Sequence, residues 1–330
     1  MNNKFSYNWA LKDAIFTKDK GKVFSCFACG GGSSFGYKLA GFDVIGANDI
    51  DEKMAEVYKE NHKPKYYYLE SITTLAKRRD FPKELYELDI LDGSPPCSSF
   101  SMAGNRDKDW GKEKMFREGQ AKQVLDTLFF DFIDLAKELQ PKVVIAENVE
   151  GLMMAEAIKY VRKIYDEFEA AGYYVQHFLF NASKMGVPQK RKRVFFICLR
   201  KDLAKPFLYQ KDFFTEAPFI KLHFIEKKIP IKEFVKGVPK RPTQNYLPTR
   251  YGDVMLDIEQ PSNTIATEIN RYWLDENTLI DDRSKMLIGS YPTDYNFLDN
   301  NVQYLVGMSV PPLMTANIAT EIYNQWLSKL

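Results

Sequence analysis

The sequence predicts an α/β fold, with a doubly wound, mostly parallel sheet followed by a second, smaller, loop-rich domain. Apolar β-rich runs alternate with helical periods over residues 1–200. The runs are apolar at successive positions, as expected for strands whose two faces are both covered by helices. From about residue 201 this alternation stops. With 330 residues, of which 45% are hydrophobic and 27% charged, the chain can build both domains and is not disordered in composition.

Six strands and four helical stretches are predicted in chain order. The strands are KVFSCF (22–27), FDVIGA (42–47), LDILDG (88–93), KVVIAE (142–147), YYVQHFLF (173–180) and VFFICL (194–199). The helical stretches are DEKMAEVYKEN (51–61), residues 121–140 up to Pro141, the stretch after the fourth strand up to Gly172, and residues 315–330. Strands that alternate with helices in this way predict βαβ units and an open, doubly wound sheet.

Residues 201–283 are predicted to form the second domain. Their aromatic stretches are short, no long helical period appears, and prolines stand at 206, 218, 230, 239, 242, 248 and 261. No internal repeat or low-complexity tract interrupts the chain. Such a composition is typical of a small domain made mostly of loops.

Charge is balanced overall but unevenly distributed. The chain has 46 Lys and Arg against 44 Asp and Glu, so its net charge of +2 neither indicates nor excludes a nucleic-acid partner. Segment 221–241 holds seven basic and two acidic residues, and segment 184–193 holds five basic residues and no acidic one. These segments fit a solvated basic face and a phosphate-binding face equally well.

Hydropathy and cysteine content exclude several classes of protein. No apolar run approaches the ~20 residues of a membrane helix, and the N-terminus lacks the apolar core of a secretory signal, so a cytoplasmic location is expected. Four cysteines are too few for a disulfide scaffold. Cys26 and Cys29 form a C-x-x-C without a second close pair, so no metal site is predicted.

A glycine-rich turn follows the first strand. Residues 27–36 read FACGGGSSFG, and glycines before a helix let a ligand approach the backbone amides. Asp49 ends the second strand, where a carboxylate can accept hydrogen bonds from ribose hydroxyls. The pair indicates a nucleoside-containing cofactor, although a plain turn is the alternative. The dinucleotide pattern G-x-G-x-x-G is not met, which disfavours NAD(P) without excluding it.

Two further strand ends carry candidate chemical groups. Pro95 and Pro96 stiffen the segment before Cys97, which makes Cys97 a candidate nucleophile, the alternative being a buried structural cysteine. Glu147 ends the next strand, either as a helix cap or as a protonated carboxyl that donates a hydrogen bond beside the cysteine.

A basic run, QKRKR, leads into the last strand. Alternate residues of a strand share a face, so Gln189, Arg191 and Arg193 are expected to point the same way. Arginines at the mouth of a site suit an anion or a base carbonyl.

A cysteine, a glutamate and two alternate arginines in this order resemble the DNA (cytosine-5) methyltransferases. The resemblance covers nearly the whole chain. Its most specific parts are GSPPCSSFS (93–101), PKVVIAENV (141–149) and GVPQKRKRVFFIC (186–198), supported by residues 27–36, TLFFD (127–131), PSNTIAT (261–267) and VGMSVPP (306–312). It implies the fold of S-adenosylmethionine-dependent methyltransferases, with 201–283 as a target-recognition domain, 284–303 as a hinge and 304–330 returning to the catalytic domain.

The resemblance also implies roles for individual residues. Cys97 would be the nucleophile, Glu147 would contact N3 and N4 of cytosine, and Arg193 would contact O2. Arg191 would support the cysteine side. S-adenosylmethionine would be bound by Phe27, Ala28, Gly30, Gly31, Gly32, Asp49, Ile50, Ser71, Ile72, Pro95, Pro96, Leu128, Met308 and Ser309. DNA would be contacted by Ser99, Gln189 (which is also expected to shape the strand), Lys227, Lys228, Lys240, Arg241 and Thr264.

Four positions depart from the family pattern. Cys29 replaces the first glycine of F-x-G-x-G-G, Ser71 replaces the acidic residue of G-D-I, and Met308 replaces the asparagine of G-N-x-V-P-P. Residues 283–292 match their motif only faintly. None of these changes falls on Cys97, Glu147 or Arg193, so they bear on cofactor affinity more than on the chemistry.

The expected activity is methyl transfer to C5 of cytosine in a specific duplex DNA sequence. A duplex base must be flipped out to reach Cys97, and residues 98–120 are predicted to be a lid. No side chain is an evident base for the C5 proton, so water is expected. A monomer near the nucleoid is expected. A cognate restriction endonuclease of the same system is a candidate partner that is not physically required for activity. Three alternatives remain: an RNA (tRNA) cytosine-5 methyltransferase, a catalytically silent DNA-binding protein, and an NAD(P) oxidoreductase.

Overall fold

The computed structural model describes residues 3–96, 113–114, 123–124, 127–154, 157–210, 216–235, 252–267, 270–275 and 278–330. Its strands are β1 (Lys22–Cys26), β2 (Asp43–Asp49), β3 (Tyr66–Leu69), β4 (Ile90–Gly93), β5 (Glu113–Lys114), β6 (Gln123–Val124), β7 (Val143–Val149), β8 (Tyr173–Asn181), β9 (Lys192–Arg200), β10 (Leu208–Gln210), β11 (Glu216–Pro218), β12 (Asp253–Met255) and β13 (Arg271–Trp273). Its α-helices are α1 (Gly32–Leu39), α2 (Glu52–His62), α3 (Ile72–Leu75), α4 (Leu128–Leu139), α5 (Ile158–Ala170), α6 (Asp282–Ile288), α7 (Val302–Met308) and α8 (Pro312–Gln325).

Seven strands form one sheet in the order β3-β2-β1-β4-β7-β9-β8. The first five strands of this order run parallel, and β9 is antiparallel to both β7 and β8. The predicted doubly wound, mostly parallel fold is therefore confirmed. Strand β3 was missed because its sequence, YYYL, is short and lies at the sheet edge, where it is only partly buried.

Both faces of the sheet are covered, as the apolar strands predict. On one face, Val194 and Phe196 of β9 pack in a core with α4 and α5. On the other, Phe195 and Ile197 pack in a core with α1 and α8. Helices α1 and α8 touch closely at Gly36, where an added Cβ would lie 2.4 Å from the carbonyl oxygen of Pro312. A glycine is therefore required at this crossing.

The described part of residues 201–283 consists of short strands, single 3-10 turns and loops up to the start of α6, in agreement with the predicted loop-rich composition. A separate second domain is not confirmed. Ile231 and Leu256 share a hydrophobic cluster with Phe35 of α1 and Met54 of α2. The segment thus packs directly on the helices of the sheet domain. No described helix is long and apolar enough to cross a membrane.

Candidate active site

A pocket lies at the carboxyl ends of β1, β2 and β4, where open α/β sheets place their ligands. Its wall consists of Phe27, Cys29, Asp49, Ile50, Asp51, Met54, Ser94, Pro96, Tyr304 and Met308. Five of these residues, Phe27, Asp49, Ile50, Pro96 and Met308, are predicted cofactor residues. The other five were missed, although Asp51 and Met54 follow Asp49 so closely that the start of α2 could have indicated them.

The loop after β1 has an unusual backbone. Phe27, Cys29 and Gly31 have φ angles of +53°, +47° and +81°, in the left-handed region that favours glycine. Cys29 stands where the family pattern has glycine, and this conformation gives a physical reason for the pattern. Each non-glycine residue held in this region costs of order 1–3 kcal/mol, which the surrounding contacts must offset.

Asp49 holds this loop against α2. One carboxylate oxygen of Asp49 accepts from the amide of Cys29 at 2.7 Å, and the other accepts from the amide of Asp51 at 3.0 Å. Burial raises the pKa of Asp49, and the backbone hydrogen bonds oppose this shift. Each carboxylate oxygen can accept a second hydrogen bond, so Asp49 at the pocket wall still suits a ligand hydroxyl.

His62 fills the space beneath the glycine loop. Its ring stacks on Tyr58 at a centroid distance of 4.3 Å and packs against Phe35 at 3.9 Å. A Cβ added to Gly31 would lie 2.0 Å from Nε2 of His62. Position 31 therefore needs glycine both for its positive φ and for this close approach.

Asp92 on β4 is a buried carboxylate that the motif search missed. Its Oδ2 accepts from the hydroxyls of Ser25 and Ser33, each at 2.8 Å, and its Oδ1 accepts from Tyr37 at 3.0 Å. Burial raises the pKa of Asp92 to about 6, the three hydrogen bonds oppose the shift, and the charge of Glu147 adds to it. The sequence features that could have indicated Asp92 are the hydroxyl-bearing residues at the start of a helix together with an aspartate in a strand.

Glu147 and Arg193 form a buried ion pair on the same sheet face. Nε of Arg193 lies 2.9 Å from Oε1 of Glu147, and their side chains are 15% and 10% exposed. Burial lowers the pKa of Arg193, whereas Glu147 opposes that shift. The structure thus brings together two groups predicted to bind the same base. The protonated carboxyl expected at Glu147 stays a prediction.

Gln189 is corrected from a predicted DNA contact to a structural residue. It is fully buried, its Nε2 donates to the carbonyl of Ile288 at 3.2 Å, and its Oε1 accepts from the amide of Ile265 at 3.1 Å. DNA therefore cannot reach its amide in this arrangement.

Arg191 is also buried and bonded to backbone. Its guanidinium donates to the carbonyls of Gly307 at 2.8 Å and Ile265 at 3.4 Å. Burial, with the charge of Arg193 next in effect, lowers the pKa of Arg191 to about 9. Gln189 and Arg191 are buried and Arg193 is largely buried, but only Arg193 lies within β9, so alternation along one strand does not apply to all three. Gln189 bonds Ile265 and the end of α6, Arg191 bonds Ile265 and Gly307 of α7, and Arg193 pairs with Glu147.

Several predicted cofactor residues lie away from the pocket wall. Leu128 and Ile72 are in the hydrophobic core, 1% and 2% exposed, so their apolar side chains pack there. Ser71 caps α3 by accepting from the amide of Thr74 at 3.1 Å. Ser309 donates to the carbonyl of Leu305 at 2.7 Å. These four residues have structural contacts and are not part of the pocket wall, and their roles toward the cofactor stay predictions.

The remaining predicted cofactor residues belong to the pocket loops. Ala28 is buried, and Gly30 and Gly32 flank the left-handed Gly31. The carbonyl of Pro95 accepts from Nδ2 of Asn148 at 3.0 Å. Asn148 therefore fastens the segment before Cys97 to β7, next to Glu147.

The predicted DNA contacts fall into two groups. Lys227 and Lys228 are exposed, whereas the hydroxyl of Thr264 donates to the carbonyl of Lys190 at 2.9 Å. The amide of Glu226 donates to the carbonyl of Lys184 at 2.9 Å, so the two basic segments adjoin each other. Almost all of the predicted lid lies outside the described residues, and so do Cys97, Ser99, Lys240 and Arg241.

The fold and the site define a class: an α/β protein with a pocket at the carboxyl ends of its parallel strands and a buried acid–arginine pair on the same sheet. The family model for C-5 cytosine-specific DNA methylases matches residues 21–281, and the chain belongs to this family.

Curated relatives agree with the family. The chain is 37% identical over 182 residues to the type II methyltransferase M.FnuDI of Fusobacterium nucleatum, covering 55% of this chain and 48% of that protein. It is 38% identical over 191 residues to M.NgoPII of Neisseria gonorrhoeae, covering 58% and 51%. The chain therefore spans about half the length of these relatives. M1.HphI of Haemophilus parahaemolyticus is 27% identical, with 90% and 85% covered.

Solved structures share the fold. The DNMT2 of Spodoptera frugiperda matches with a TM-score of 0.61 and 17% identity, covering 90% of this chain and 98% of that chain. The Dnmt2 methyltransferase of S. pombe matches with a TM-score of 0.59 and 17% identity, covering 92% and 98%.

Proposed function

We propose that this protein transfers a methyl group from S-adenosylmethionine to C5 of cytosine within a specific sequence of duplex DNA. The observation that carries the proposal is the buried Glu147–Arg193 pair. Glu147 lies on β7, which neighbours the strand β4 that leads to Cys97, and Arg193 lies on β9, the next strand of the sheet. Membership of the cytosine-5 methylase family supports it.

The pocket residues fit the proposed cofactor. Asp49 offers carboxylate oxygens for the ribose hydroxyls, and Phe27 and Ile50 offer aromatic and aliphatic surface for the adenine. Cys29, Met54 and Met308 add sulfur-containing side chains, which are soft and polarisable, to the same wall. The cofactor, when bound, supplies an electrophilic methyl group on a sulfonium.

Cys97 would act as the nucleophile. Its thiolate attacks C6 of cytosine, a sulfur–carbon bond forms, and the C5=C6 electron pair moves into the ring. Glu147 would supply a proton at N3, and Arg193 would donate to O2, so both act where negative charge develops. C5 would then bond to the methyl carbon as the bond from that carbon to the sulfonium sulfur breaks, which leaves a neutral thioether. Water would accept the C5 proton, Glu147 would take back the N3 proton, and the C6–sulfur bond would break to return the thiolate.

Glu147 would have to gain a proton for this role. In the described state it pairs with Arg193, and both are largely removed from water. An incoming cytosine would offer O2 to Arg193 and N3 to Glu147, replacing part of the ion pair. The pair thus keeps two buried polar groups satisfied until the base arrives.

DNA binding would extend over the exposed lysines. Lys227 and Lys228 would contact phosphates, with Lys240 and Arg241 further along the same basic segment. The target base would be flipped out of the duplex, and residues 98–120 would close over it as a lid. We further propose a monomer near the nucleoid, with a cognate endonuclease in the same system.

The test measures labelled methyl transfer to duplex DNA and covalent capture on DNA with 5-fluorocytosine at the target. We expect transfer, an adduct at Cys97, and loss of both in Cys97→Ser. Cys198→Ala is the matched control, because it removes a buried thiol of the same sheet and should leave transfer intact. Normal transfer by Cys97→Ser would refute the nucleophile, and transfer to tRNA but never to DNA would refute the substrate.

A further inference from the structure

Asp92 is the acceptor for a cluster of three hydroxyls behind the pocket. It is 3% exposed, and no salt bridge joins it to another residue in the described ranges. Burying a carboxylate without a cation is unfavourable unless hydrogen bonds replace its water. Ser25, Ser33 and Tyr37 supply those bonds at 2.8, 2.8 and 3.0 Å.

The three donors lie on the elements that build the pocket wall. Ser25 lies on β1, two residues before Phe27. Ser33 and Tyr37 lie on α1, which begins directly after the glycine loop. Asp92 itself lies on β4, two residues before Ser94. One carboxylate therefore joins the strand before the loop, the helix after it, and the strand that forms the opposite wall.

The bond from Ser33 has a particular importance for α1. The residue before this helix is Gly31, which supplies no side-chain cap. Helix starts without caps leave backbone amides unsatisfied and their first turns weakly fixed. Ser33 shares Oδ2 of Asp92 with Ser25, so the first turn of α1 is held in line with β1.

We propose that Asp92 is a positioning residue that sets the shape of the cofactor pocket. It holds the first turn of α1 against β1 and β4, and thereby keeps the loop with Phe27 and Cys29 at a fixed distance from Ser94 and Pro96. The inference rests on the proposed function, in that S-adenosylmethionine is taken as the ligand of this pocket. Asp92 acts through the backbone of these segments and does not need to touch the ligand.

The test compares two neighbouring serines of α1. Ser33→Ala removes a hydrogen bond to Asp92, whereas Ser34→Ala removes a buried hydroxyl bond of 2.8 Å to Tyr58. Calorimetric titration measures the Kd of S-adenosylmethionine, and kinetics give its KM and kcat. We expect Ser33→Ala to raise Kd and KM about tenfold with kcat within about twofold, a change typical of one lost charge-assisted bond. Ser34→Ala should lower the melting temperature to a similar degree and leave Kd unchanged.

Asp92→Asn provides a second variant with nearly the same shape. The side-chain nitrogen of the asparagine must face either the serine hydroxyls or Tyr37, and this nitrogen cannot accept a hydrogen bond from a hydroxyl. We expect a larger rise in Kd than for Ser33→Ala. Equal Kd values for Ser33→Ala and Ser34→Ala, with normal binding by the wild type, would overturn the positioning role alone. A wild type that binds no S-adenosylmethionine would overturn the proposed function as well.

Discussion

Nε of Arg193 lies 2.9 Å from Oε1 of Glu147, and this ion pair joins β9 to β7 at the edge of the sheet where the candidate active site lies. Both side chains are almost enclosed by protein. Each charge therefore depends on the other for stabilisation, and each is also proposed to contact the substrate base. The energetics of the pair can be tested separately from its chemistry.

Replacing only one member of the pair should destabilise the protein strongly. Arg193→Met leaves the Glu147 carboxylate buried without a cation, and breaking a buried pair in this way costs about 3–5 kcal/mol. Glu147→Gln combined with Arg193→Met should cost less than Arg193→Met alone, because no unpaired charge remains. Urea unfolding measures the free energies.

Lys192→Ala is the matched control for these variants. Lys192 precedes Arg193 on β9 and forms an exposed ion pair of 3.0 Å with Glu150. Its loss should change the free energy of unfolding by less than about 1 kcal/mol. A double variant less stable than Arg193→Met would contradict the interpretation.

Cys29 should be replaceable by glycine with a gain in stability. Its φ of +47° is accessible to glycine at no steric cost, so Cys29→Gly should raise the free energy of unfolding by about 0.5–1 kcal/mol. The loss of the Cys29–Met54 sulfur contact at 3.6 Å reduces this gain slightly. Cys29→Ala keeps a Cβ in the same backbone conformation and serves as the control. Equal stability of the two variants, by thermal or urea unfolding, would show that the backbone is not strained here.

The sheet could be predicted from the sequence because its signal is local. Apolar runs bounded by helical periods marked six of the seven strands, and only β3 lacked a distinctive run. Phe27, Asp49 and Pro96 were found at the pocket because strand ends of a parallel sheet meet at one edge. These predictions needed no knowledge of tertiary contacts.

The partners of buried polar groups could not be predicted in the same way. Gln189 and Arg191 are buried just before β9, and their hydrogen-bond partners lie 74 to 116 residues away in sequence. Asp92 was missed for the same reason, because its donors are 55 to 67 residues distant. A separate second domain was expected from the proline pattern, which carries no information on packing against α1 and α2.

His62 should make the protein less stable in mild acid. Burial, with the charge of Lys38, holds the pKa of His62 well below its usual value near 6.5. Below about pH 6.5 His62 is therefore protonated in the unfolded chain but still neutral in the folded protein. The free energy of unfolding decreases as the pH falls through this range. The contribution of this residue approaches about 1.4 kcal/mol per pH unit between the two pKa values.

The variant His62→Gln tests this, since glutamine does not titrate. Tyr58, Phe35 and Lys38 face the ring and stay in place. We expect a smaller loss of stability between pH 7 and pH 5 than in the wild type, measured by urea unfolding at each pH. His223→Gln, which replaces an exposed histidine by the same residue, is the matched control. An unchanged slope in His62→Gln would contradict the prediction.

Lys227 and Lys228 should govern the salt dependence of DNA affinity, and Gln189 should not. Each phosphate contact releases counterions, so Lys227→Gln and Lys228→Gln should each reduce the slope of log K against log salt by about 0.9. Gln189→Leu should instead lower stability, because it leaves the Ile265 amide and the Ile288 carbonyl without partners. Fluorescence anisotropy with a labelled duplex at several salt concentrations measures the slopes. An unchanged slope in both lysine variants would show that other residues contact the phosphates. A reduced slope in Gln189→Leu, with unchanged stability, would show that Gln189 contacts DNA despite its burial.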